Sequence, residues 1–444
     1  MRLPWLMNVI SNLAIRGYYR VTIAGARVPD EGPVLLVANH NNSLVDPAMV
    51  VVATDRTVRF MAKEPLFRDP FIGWLVKAVG SVPVYRQQDD PTQLARNLDS
   101  FRDVHAALAE GSAVGIFPEG ISHSASQLAP LKTGAARIAL GAAALLGRGF
   151  PIVAMGLTFR DRDRFRSEAH VLIAEPVEWA DLAAAGTDDR EAVRTLTRRI
   201  EAAMRAVTVN LEAWEDEPLV RIAEQVWAAE FAQARARDPQ AEVERIRLTT
   251  AALRALRGGA DDGWRDVARE LTAHRRQLEH LGLSPAALHG DVRVGEAVEW
   301  TIARLPFTLV LPISLIGAVV FWPPKAVTAA VARRMSATEG EETLVTYRVL
   351  VGAVVFALWF AVVAFAAVLP LLGLGWALLA LLVQPVWAFA ALAVSERRQQ
   401  AFEAIRRFVL RRRVRPVLEE LRERQRALAR RLDALYARLS GGAP

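Results

Sequence analysis

Between Val349 and Ser395 the chain has no charged residue over 47 consecutive positions. At about 1.5 Å per helical residue, such a run would be about 70 Å long, which exceeds a single buried core helix and suffices for two crossings of a ~30 Å hydrocarbon core. The sequence Pro-Leu-Leu-Gly at 370–373, near the middle of the run, is typical of a turn. The run therefore predicts an integral membrane hairpin with two spans between 349 and 395.

A second uncharged run, Leu305–Pro324, is 20 residues long and contains four prolines, which disfavour a straight helix. Eight arginines between 397 and 415 follow the hairpin, and they predict a cytoplasmic tail on a protein of the inner membrane. If the N-terminal part of the chain is cytoplasmic as well, the number of crossings must be even. Two crossings with a re-entrant or interfacial segment at 305–324 meet this condition, whereas a third span at 305–324 does not.

The composition excludes several kinds of site. The 444-residue chain has no cysteine, so disulfides, cysteine-ligated zinc, iron–sulfur clusters and cysteine nucleophiles are all ruled out. It carries 55 Lys and Arg against 48 Asp and Glu. We attribute the excess of arginine over lysine to an arginine-biased genome. Nucleic acid is not an expected partner, because anionic lipid explains a basic run beside a membrane span more simply.

Charge and hydropathy divide the chain into five regions. Residues 1–19 have apolar side chains at helical spacing, which fits either a helix lying on the membrane surface or an ordinary packed helix. Residues 20–212 alternate between strand and helix patterns, 213–300 are charged and helical, 301–395 form the membrane region, and 396–444 form a basic helical tail.

The tail has a heptad pattern like that of a coiled coil. This pattern predicts pairing either with a second chain, as a homo-oligomer through 414–439, or with helices of residues 211–300. The seam consists of Val414, Leu418, Leu421, Leu428, Leu432, Leu435 and Leu439, with Gln425 at its one polar step.

Short β-branched runs and helical stretches alternate between Arg20 and about residue 210. This alternation predicts an α/β layer structure, a sheet that is at least partly parallel and is flanked by helices. Two of the helices are predicted at Pro91–Glu110 and Thr133–Leu146. The predicted strands are Arg20–Ala24, Pro33–Ala38, Thr57–Met61, Ser81–Tyr85, Ala113–Phe117, Pro151–Thr158 and His170–Ala174.

His40 stands at the end of an apolar strand and begins a polar turn that leads to Asp46. Functional groups in α/β sheets lie beyond the carboxyl ends of strands, and a histidine oriented through one ring nitrogen can accept a proton on the other. The alternative is that Asp46 caps a helix that begins at Pro47. Four other histidines fall in polar or amphipathic helical patterns and are expected to be solvated: His105, His274, His280 and His289.

Residues 115–123 read Gly-Ile-Phe-Pro-Glu-Gly-Ile-Ser-His. Together with the His40 motif, this segment resembles the glycerophospholipid acyltransferase family, whose domain has four motifs in a fixed order. The chain matches them at Asn39, His40 and Asp46, at Gly80–Arg86, at Phe117–Ser122 and, loosely, at Pro151–Gly156; Lys132 resembles the lysine of a lysine–glycine element after the third motif. Five residues separate His40 from Asp46 where most members have four, a spacing similar to that of the fungal-type glycerol-3-phosphate and dihydroxyacetone-phosphate acyltransferases.

The resemblance implies a mixed acyltransferase-type sheet and a membrane-bound O-acyltransferase of phospholipid synthesis. The acyl donor would be acyl-CoA or acyl carrier protein, and the acceptor glycerol-3-phosphate, dihydroxyacetone phosphate or lysophosphatidic acid. No metal or other cofactor is implied. The alternatives are a lysophospholipid-remodelling acyltransferase and a nonenzymatic membrane scaffold with a vestigial transferase domain. A serine hydrolase is disfavoured because the chain lacks a G-x-S-x-G pentapeptide.

The resemblance also implies a role for each matched side chain. His40 would be the general base and Asp46 would orient its ring. Arg86 and Lys132 would bind the acceptor phosphate. Glu119 would bond the acceptor glycerol or hold Arg86, and Gly120 would permit close approach of the backbone.

Overall fold

The structure is a computed structural model. It describes residues 4–54, 56–69, 73–78, 80–85, 92, 96–211, 214–231, 241, 243, 245, 246, 248–251, 262–288, 316–391 and 415–440. The described residues fall into two compact units. The first holds those up to Trp214 together with segments at 238–247 and 340–346, and the second holds the rest.

All seven predicted strands are present, with ends that differ by no more than two residues from the expected ones. They are β1 (Arg20–Gly25), β2 (Val34–Ala38), β3 (Val58–Lys63), β4 (Val82–Val84), β5 (Ala113–Ile116), β6 (Ile152–Phe159) and β7 (Glu168–Ile173). The helices of the first unit are α1 (Pro4–Tyr18), α2 (Val45–Ala53), α3 (Pro65–Arg68), α4 (Gly73–Ala78), α5 (Asn97–Ala109), α6 (Gly134–Leu146) and α7 (Arg190–Val207).

The strands form one mixed sheet in the order β1-β7-β6-β2-β5-β3-β4. Strands β2 to β6 are parallel to their neighbours within this group, β7 is antiparallel to β6, and β1 is parallel to β7. The prediction of a mixed sheet flanked by helices is therefore confirmed. Connections between the parallel strands return over the faces of the sheet, and this accounts for the intervening helices.

Strand β2 lies at the centre of the sheet, between β5 and β6. All five of its residues are buried, as is usual for a parallel strand covered on both faces, and its sequence is correspondingly apolar throughout. Leu35 and Val37 belong to the core formed with α5, α6 and α7. Helix α2 packs against β6 and β7, and α1 packs on α2.

Helix α1 supports parts of both interpretations of the N-terminus. Ile15 and Tyr18, near its C-terminal end, are buried in the first unit. Val9 and Leu13 are exposed by 44% and 68%, respectively, and they leave an apolar strip on the outer side of the helix. The helix is thus packed along one side only.

The second unit contains five whole helices and α11 (Leu344–Val362) from Tyr347 onward. The five are α8 (Glu217–Phe231), α9 (Asp262–Leu281), α10 (Trp322–Glu339), α12 (Leu374–Ala391) and α13 (Arg415–Ser440). Helix α13 packs against α8 and α9 of the same chain, which is the intramolecular alternative for the heptad seam. Leu418, Leu421, Leu428 and Leu432 are buried there. Val414 lies outside the described residues.

The prediction that His274 is solvated is wrong. The side chain is fully buried in the second unit, and its Nε2 lies 3.2 Å from Oε1 of Gln425, the polar step of the seam. Burial lowers the pKa of His274, so the ring is neutral and shares a hydrogen bond that two apolar residues could not form. Hydropathy alone could not predict this burial, because a polar residue that is paired in a core has the same sequence pattern as a polar residue exposed to water.

Two helices of the described residues are long and apolar enough to cross a membrane: Glu341–Leu372, which begins with α11, and Leu374–Ala391, which is α12. Only 6% and 17% of their most apolar stretches are buried, unlike the core helices of a soluble protein. The break between them falls at Gly373, whose φ of +86° favours glycine, at the end of the predicted turn. A π-helical stretch at Val363–Val368 precedes a last α-helical turn at Leu369–Leu372, in which Pro370 occupies the first turn, where proline is tolerated.

The last part of the second uncharged run packs on this hairpin. Residues 316–320 are helical. Phe321 meets Phe360 and Trp387 edge-on, with ring centroids 5.9 and 5.2 Å away. Residues 305–315 of the run lie outside the described residues.

Gly156 provides a test of how β6 and α7 are packed. A Cβ at Gly156 would lie 1.8 Å from the carbonyl oxygen of Val207, at the end of α7. Since backbone cannot give way as a side chain can, we expect Gly156→Ala to destabilise the first unit by at least about 1–3 kcal/mol. This loss should lower the thermal unfolding midpoint of the detergent-solubilised protein by several degrees.

Gly134→Ala is the matched control, because Gly134 begins α6 and its Cβ would meet nothing within 4 Å. Alanine there should be neutral or stabilising by about 0.5–1 kcal/mol. Equal midpoints for the two variants would contradict the packing of β6 against α7.

Candidate active site

The parallel pairing of β2 with β5 brings two loops together. Val37 lies opposite Ile116 in the register, so the chain leaves both strands at the same edge of the sheet. The first loop carries His40 and the second carries Glu119. Residues that are 79 positions apart in sequence thus become hydrogen-bonding neighbours.

His40 and Asp46 are paired as expected. Nδ1 of His40 lies 2.8 Å from Oδ2 of Asp46, and Asp46 is fully buried while the His40 side chain is 19% exposed. The backbone N–H of Asn42 donates to the same carboxylate oxygen at 2.7 Å. With Nδ1–H donating to Asp46, Nε2 is the ring nitrogen left to accept a proton.

Asp46 is not the cap of helix α2. The helix begins at Val45, its N-cap residue is Leu44, and Asp46 lies in the first turn with its side chain directed back to His40. The longer His–Asp spacing is accommodated by a turn in which Ser43 adopts a φ of +45°. The extra residue therefore leaves the His–Asp contact intact.

The ring of His40 is also held by an aromatic stack. Phe117 lies parallel to it, with ring centroids 4.2 Å apart and an interplanar angle of 16°. Phe60 stacks in turn on Phe117 at 6.0 Å. The hydrogen bond to Asp46 and this stack together restrict rotation of the imidazole.

Glu119 is buried, with 2% of its surface exposed. Its Oε1 accepts a hydrogen bond from the backbone N–H of His40 at 2.8 Å, and its Oε2 accepts one from Ala129 N–H at 2.7 Å. Nε2 of His123 also bonds Oε2. The carboxylate is thus engaged by donors of the protein itself.

Gly120 and Lys132 lie together beside Glu119. Gly120 has a φ of +73°, which favours glycine, and a Cβ there would lie 2.6 Å from Nζ of Lys132. Lys132 is anchored by its backbone N–H, which donates to Pro118 O at 2.8 Å, and it is exposed. Its ammonium group is therefore available at the edge of the site.

Arg86, the predicted phosphate ligand, lies outside the described residues. The strand that precedes it, β4, is parallel to β3, and β3 is parallel to β5. Its C-terminal end is therefore at the same edge of the sheet as the ends of β2 and β5. Tyr85, the last described residue before Arg86, exchanges two hydrogen bonds with the side chain of Asn97.

Asn39 joins the first loop to β6. Its side-chain amide donates to Leu157 O at 3.0 Å and accepts from Leu157 N–H at 2.7 Å, in the manner of a strand residue. Asn39, the first residue of the N-H motif, thus has a structural role. Its side chain pairs with the backbone of β6 one position beyond the end of β2 at Ala38.

Three residues that hold the two loops were missed by the sequence analysis: Tyr19, His123 and Arg162. Burial raises the pKa of Tyr19 well above its usual range, so the phenol stays protonated. It donates to Arg162 O at 2.5 Å and accepts from the amide of Asn42 at 3.0 Å. The guanidinium of Arg162 bonds Asn41 O at 3.1 Å and Ser124 Oγ at 2.8 Å, which bridges the two loops.

Only one of the three could have been found from the sequence. His123 follows Glu119 by four residues within the same polar segment, which could have indicated a local pair. Tyr19 and Arg162 come from the end of α1 and from the β6–β7 loop, and nothing in their local sequence connects them with His40. Among the described residues, no group of three or more His, Asp or Glu side chains could hold a metal ion.

The segment that contains this site matches a known protein family. A family model described as Acyltransferase matches residues 20–158, the segment that contains both loops. Glycerol-3-phosphate O-acyltransferase 1 of Saccharomyces cerevisiae is 22% identical over 431 residues, which cover 73% of this chain and 56% of the yeast protein. The chain thus spans about half the length of that relative.

Two bacterial proteins each match less than half of the chain. The 1-acyl-sn-glycerol-3-phosphate acyltransferase of Bacillus subtilis is 27% identical over 192 residues, covering 43% of this chain and 89% of its own. A crystal structure of the 1-acyl-sn-glycerophosphate acyltransferase of Thermotoga maritima covers 46% of this chain and 78% of its own at 19% identity, with a TM-score of 0.34. Residues 20–158 thus match an acyltransferase family model, and the yeast and Bacillus subtilis relatives are by name acyltransferases of phosphorylated glycerols.

Proposed function

We propose that the protein is a membrane-bound O-acyltransferase that moves a fatty acyl group from a thioester to a hydroxyl of a phosphorylated glycerol. The observation that carries the proposal is the 2.8 Å contact between His40 Nδ1 and the buried carboxylate of Asp46. This contact leaves Nε2 as the proton acceptor of a partly exposed ring. The match of residues 20–158 to an acyltransferase family model supports the same reaction class.

The reaction needs one group that accepts and returns a proton. His40 Nε2 takes the proton of the acceptor hydroxyl as its oxygen bonds to the thioester carbonyl carbon. Asp46 stabilises the imidazolium that forms and keeps its orientation. The tetrahedral adduct then collapses, the carbon–sulfur bond breaks, and the leaving thiolate receives the proton from His40. The products are an ester and a free thiol, and no acyl-enzyme is required because the thioester is already activated.

In this proposal the acceptor carries a phosphate, and Arg86 and Lys132 bind that phosphate. Lys132 is exposed beside Gly120, where its ammonium group can reach a ligand at the edge of the sheet. The relatives are named for glycerol-3-phosphate and for 1-acyl-glycerol-3-phosphate acceptors, and both of these molecules contain a phosphate and a free hydroxyl. The acyl donor is acyl-CoA or acyl carrier protein.

The hairpin of Glu341–Leu372 and Leu374–Ala391 would place the enzyme in the inner membrane. Large apolar side chains such as Leu371 and Leu382, at 80% and 75% exposure, cover its outer surface and would face lipid. Gln384 is buried between the two helices, where its amide nitrogen donates to Phe360 O at 3.0 Å and links α12 to α11. The catalytic unit and the basic tail are on the cytoplasmic side.

The direct test is acyl transfer by purified protein in nanodiscs, with labelled acyl-CoA and products identified by mass. The acceptors are glycerol-3-phosphate, dihydroxyacetone phosphate, lysophosphatidic acid and, for the remodelling alternative, lysophosphatidylcholine. Transfer to a phosphorylated glycerol is expected. Transfer to lysophosphatidylcholine alone would favour remodelling, and transfer to none would contradict the proposal.

We expect His40→Ala to lower kcat by about 10²–10⁴-fold, because no other side chain in the two loops can replace the general base. Asp46→Asn should cause a comparable loss, since the amide cannot stabilise the imidazolium. His280→Ala is the matched control on the exposed face of α9 and should keep full activity. Thermal midpoints of all variants must match for the comparison to hold. If His40→Ala retained more than about a tenth of wild-type transfer, His40 would not be the base.

We expect Arg86→Ala to raise the KM for the phosphorylated acceptor while leaving the KM for acyl-CoA unchanged. Loss of a charged hydrogen bond corresponds to about 1.5–3 kcal/mol, or about 10- to 150-fold in KM. Arg86→Lys should recover part of the effect, since a point charge remains. Arg102→Ala, at an exposed position of α5, is the control. Unchanged kinetics for Arg86→Ala would remove it from the phosphate site.

The membrane topology can be tested directly, because the chain has no native cysteine. Single cysteines at Leu145, Ala337 and Arg398 should all react with an impermeant maleimide from the cytoplasmic face, and one at Leu371 from the opposite face. If Leu145 and Ala337 reacted from opposite faces, the segment 305–324 would be a third span. If Leu371 and Ala337 reacted from the same face, the hairpin would not cross the membrane.

A further inference from the structure

His123 lies in the second loop and has no part in the proton transfer described above. Its side chain is 16% exposed, and its two ring nitrogens have different partners. Nδ1 accepts a hydrogen bond from the backbone N–H of Ala125 at 3.1 Å. A neutral imidazole that accepts at Nδ1 carries its proton on Nε2, so Nε2 is the donor to Oε2 of Glu119.

His123 and Glu119 hold both backbone groups of His40. The N–H of His40 donates to Oε1 of Glu119 at 2.8 Å, and the C=O of His40 accepts from the N–H of His123 at 3.1 Å. His123 also bonds Glu119 through its side chain. The three hydrogen bonds therefore link His40, Glu119 and His123 in a closed ring that includes the backbone of the general base. A change at any one of the three residues would loosen the backbone that carries the imidazole.

We infer that His123 is a positioning residue for His40, acting through Glu119. The Nε2–H donor keeps the Glu119 carboxylate in place, and the carboxylate keeps the His40 backbone at the angle that points Nε2 toward the acceptor hydroxyl. The carboxylate of Glu119 accepts bonds from three protein donors, and these contacts suit it to fix the His40 backbone. The inference rests on the proposed function for its kinetic consequences, but the contacts themselves do not depend on it.

The two ring nitrogens of His123 can be separated by substitution. In His123→Gln the side-chain amide nitrogen can take the position of Nε2 and donate to Glu119, while the acceptor for Ala125 is lost. In His123→Asn the shorter side chain can accept from Ala125 but does not reach Glu119. His123→Leu removes both bonds at similar volume.

We expect His123→Asn and His123→Leu to lower kcat by about 10- to 100-fold, the size of effect that follows from misplacing a catalytic group by about 1 Å. His123→Gln should stay within about threefold of wild type, and the KM for the acceptor should change little in all three. A rise in acceptor KM at constant kcat would overturn the inference, because it would place Glu119 or His123 on the substrate. Equal losses in the Gln and Asn variants would overturn it too, because a purely structural histidine would not distinguish the two nitrogens.

A second measurement does not require acyl transfer. Diethyl pyrocarbonate acylates imidazole nitrogen, and the rate of its reaction with His40 can be followed by peptide mass spectrometry in every variant. The rate should rise severalfold in the Asn and Leu variants and stay at the wild-type value in the Gln variant. An unchanged rate in all three would contradict the inference even if the enzyme is active. Wild-type protein that transfers no acyl group but shows the expected rates would contradict the proposed function alone.

Discussion

The parallel pairing of β2 and β5 is the constraint on which the site depends. Parallel neighbours end at one edge of a sheet, so the residue after β2 and the residue after β5 are brought together whatever the length of chain between them. The intervening segment is accommodated by α2, α5 and two further strands. Leu35 and Val37 of β2 pack in the apolar core, and a shift by one residue would move them out of it to the other face of the sheet.

Two buried carboxylates have different tasks at this edge. Asp46 bonds the ring of His40 and would stabilise a charge that appears during the reaction, whereas Glu119 bonds the backbone of His40 and would set its geometry. Burial of a carboxylate is unfavourable unless hydrogen bonds replace its water, and removing such a partner typically costs about 3–5 kcal/mol. Both oxygens of Glu119 have donors, whereas the two donors to Asp46 both bond Oδ2. These donors explain why small polar residues fill both loops: short side chains and backbone N–H groups can approach closely.

The second unit shows two opposite uses of apolar surface. In the hairpin, long apolar side chains point outward and are exposed, as a bilayer would require. In the bundle of α8, α9 and α13, leucines point inward and surround the His274–Gln425 pair. A buried polar pair of this kind selects one register of the helices, since any other alignment would leave its atoms unpaired.

The sequence alone determined a large part of this protein. Strand positions followed from β-branched runs, the hairpin from the absence of charge, and His40 and Asp46 from their place after an apolar strand, because these features depend on residues close together along the chain. Pairing of His40 with Asp46 is a contact over six positions and could be anticipated. The sequence offered the fold-back of α13 only as one of two alternatives. The burial of His274 beside Gln425 and the contact of Tyr19 with Arg162 could not be anticipated, since these partners are over a hundred positions apart. Only the tertiary structure decided that Glu119 and His123 enclose the peptide of His40, because that ring closes only when two strands 79 positions apart lie side by side.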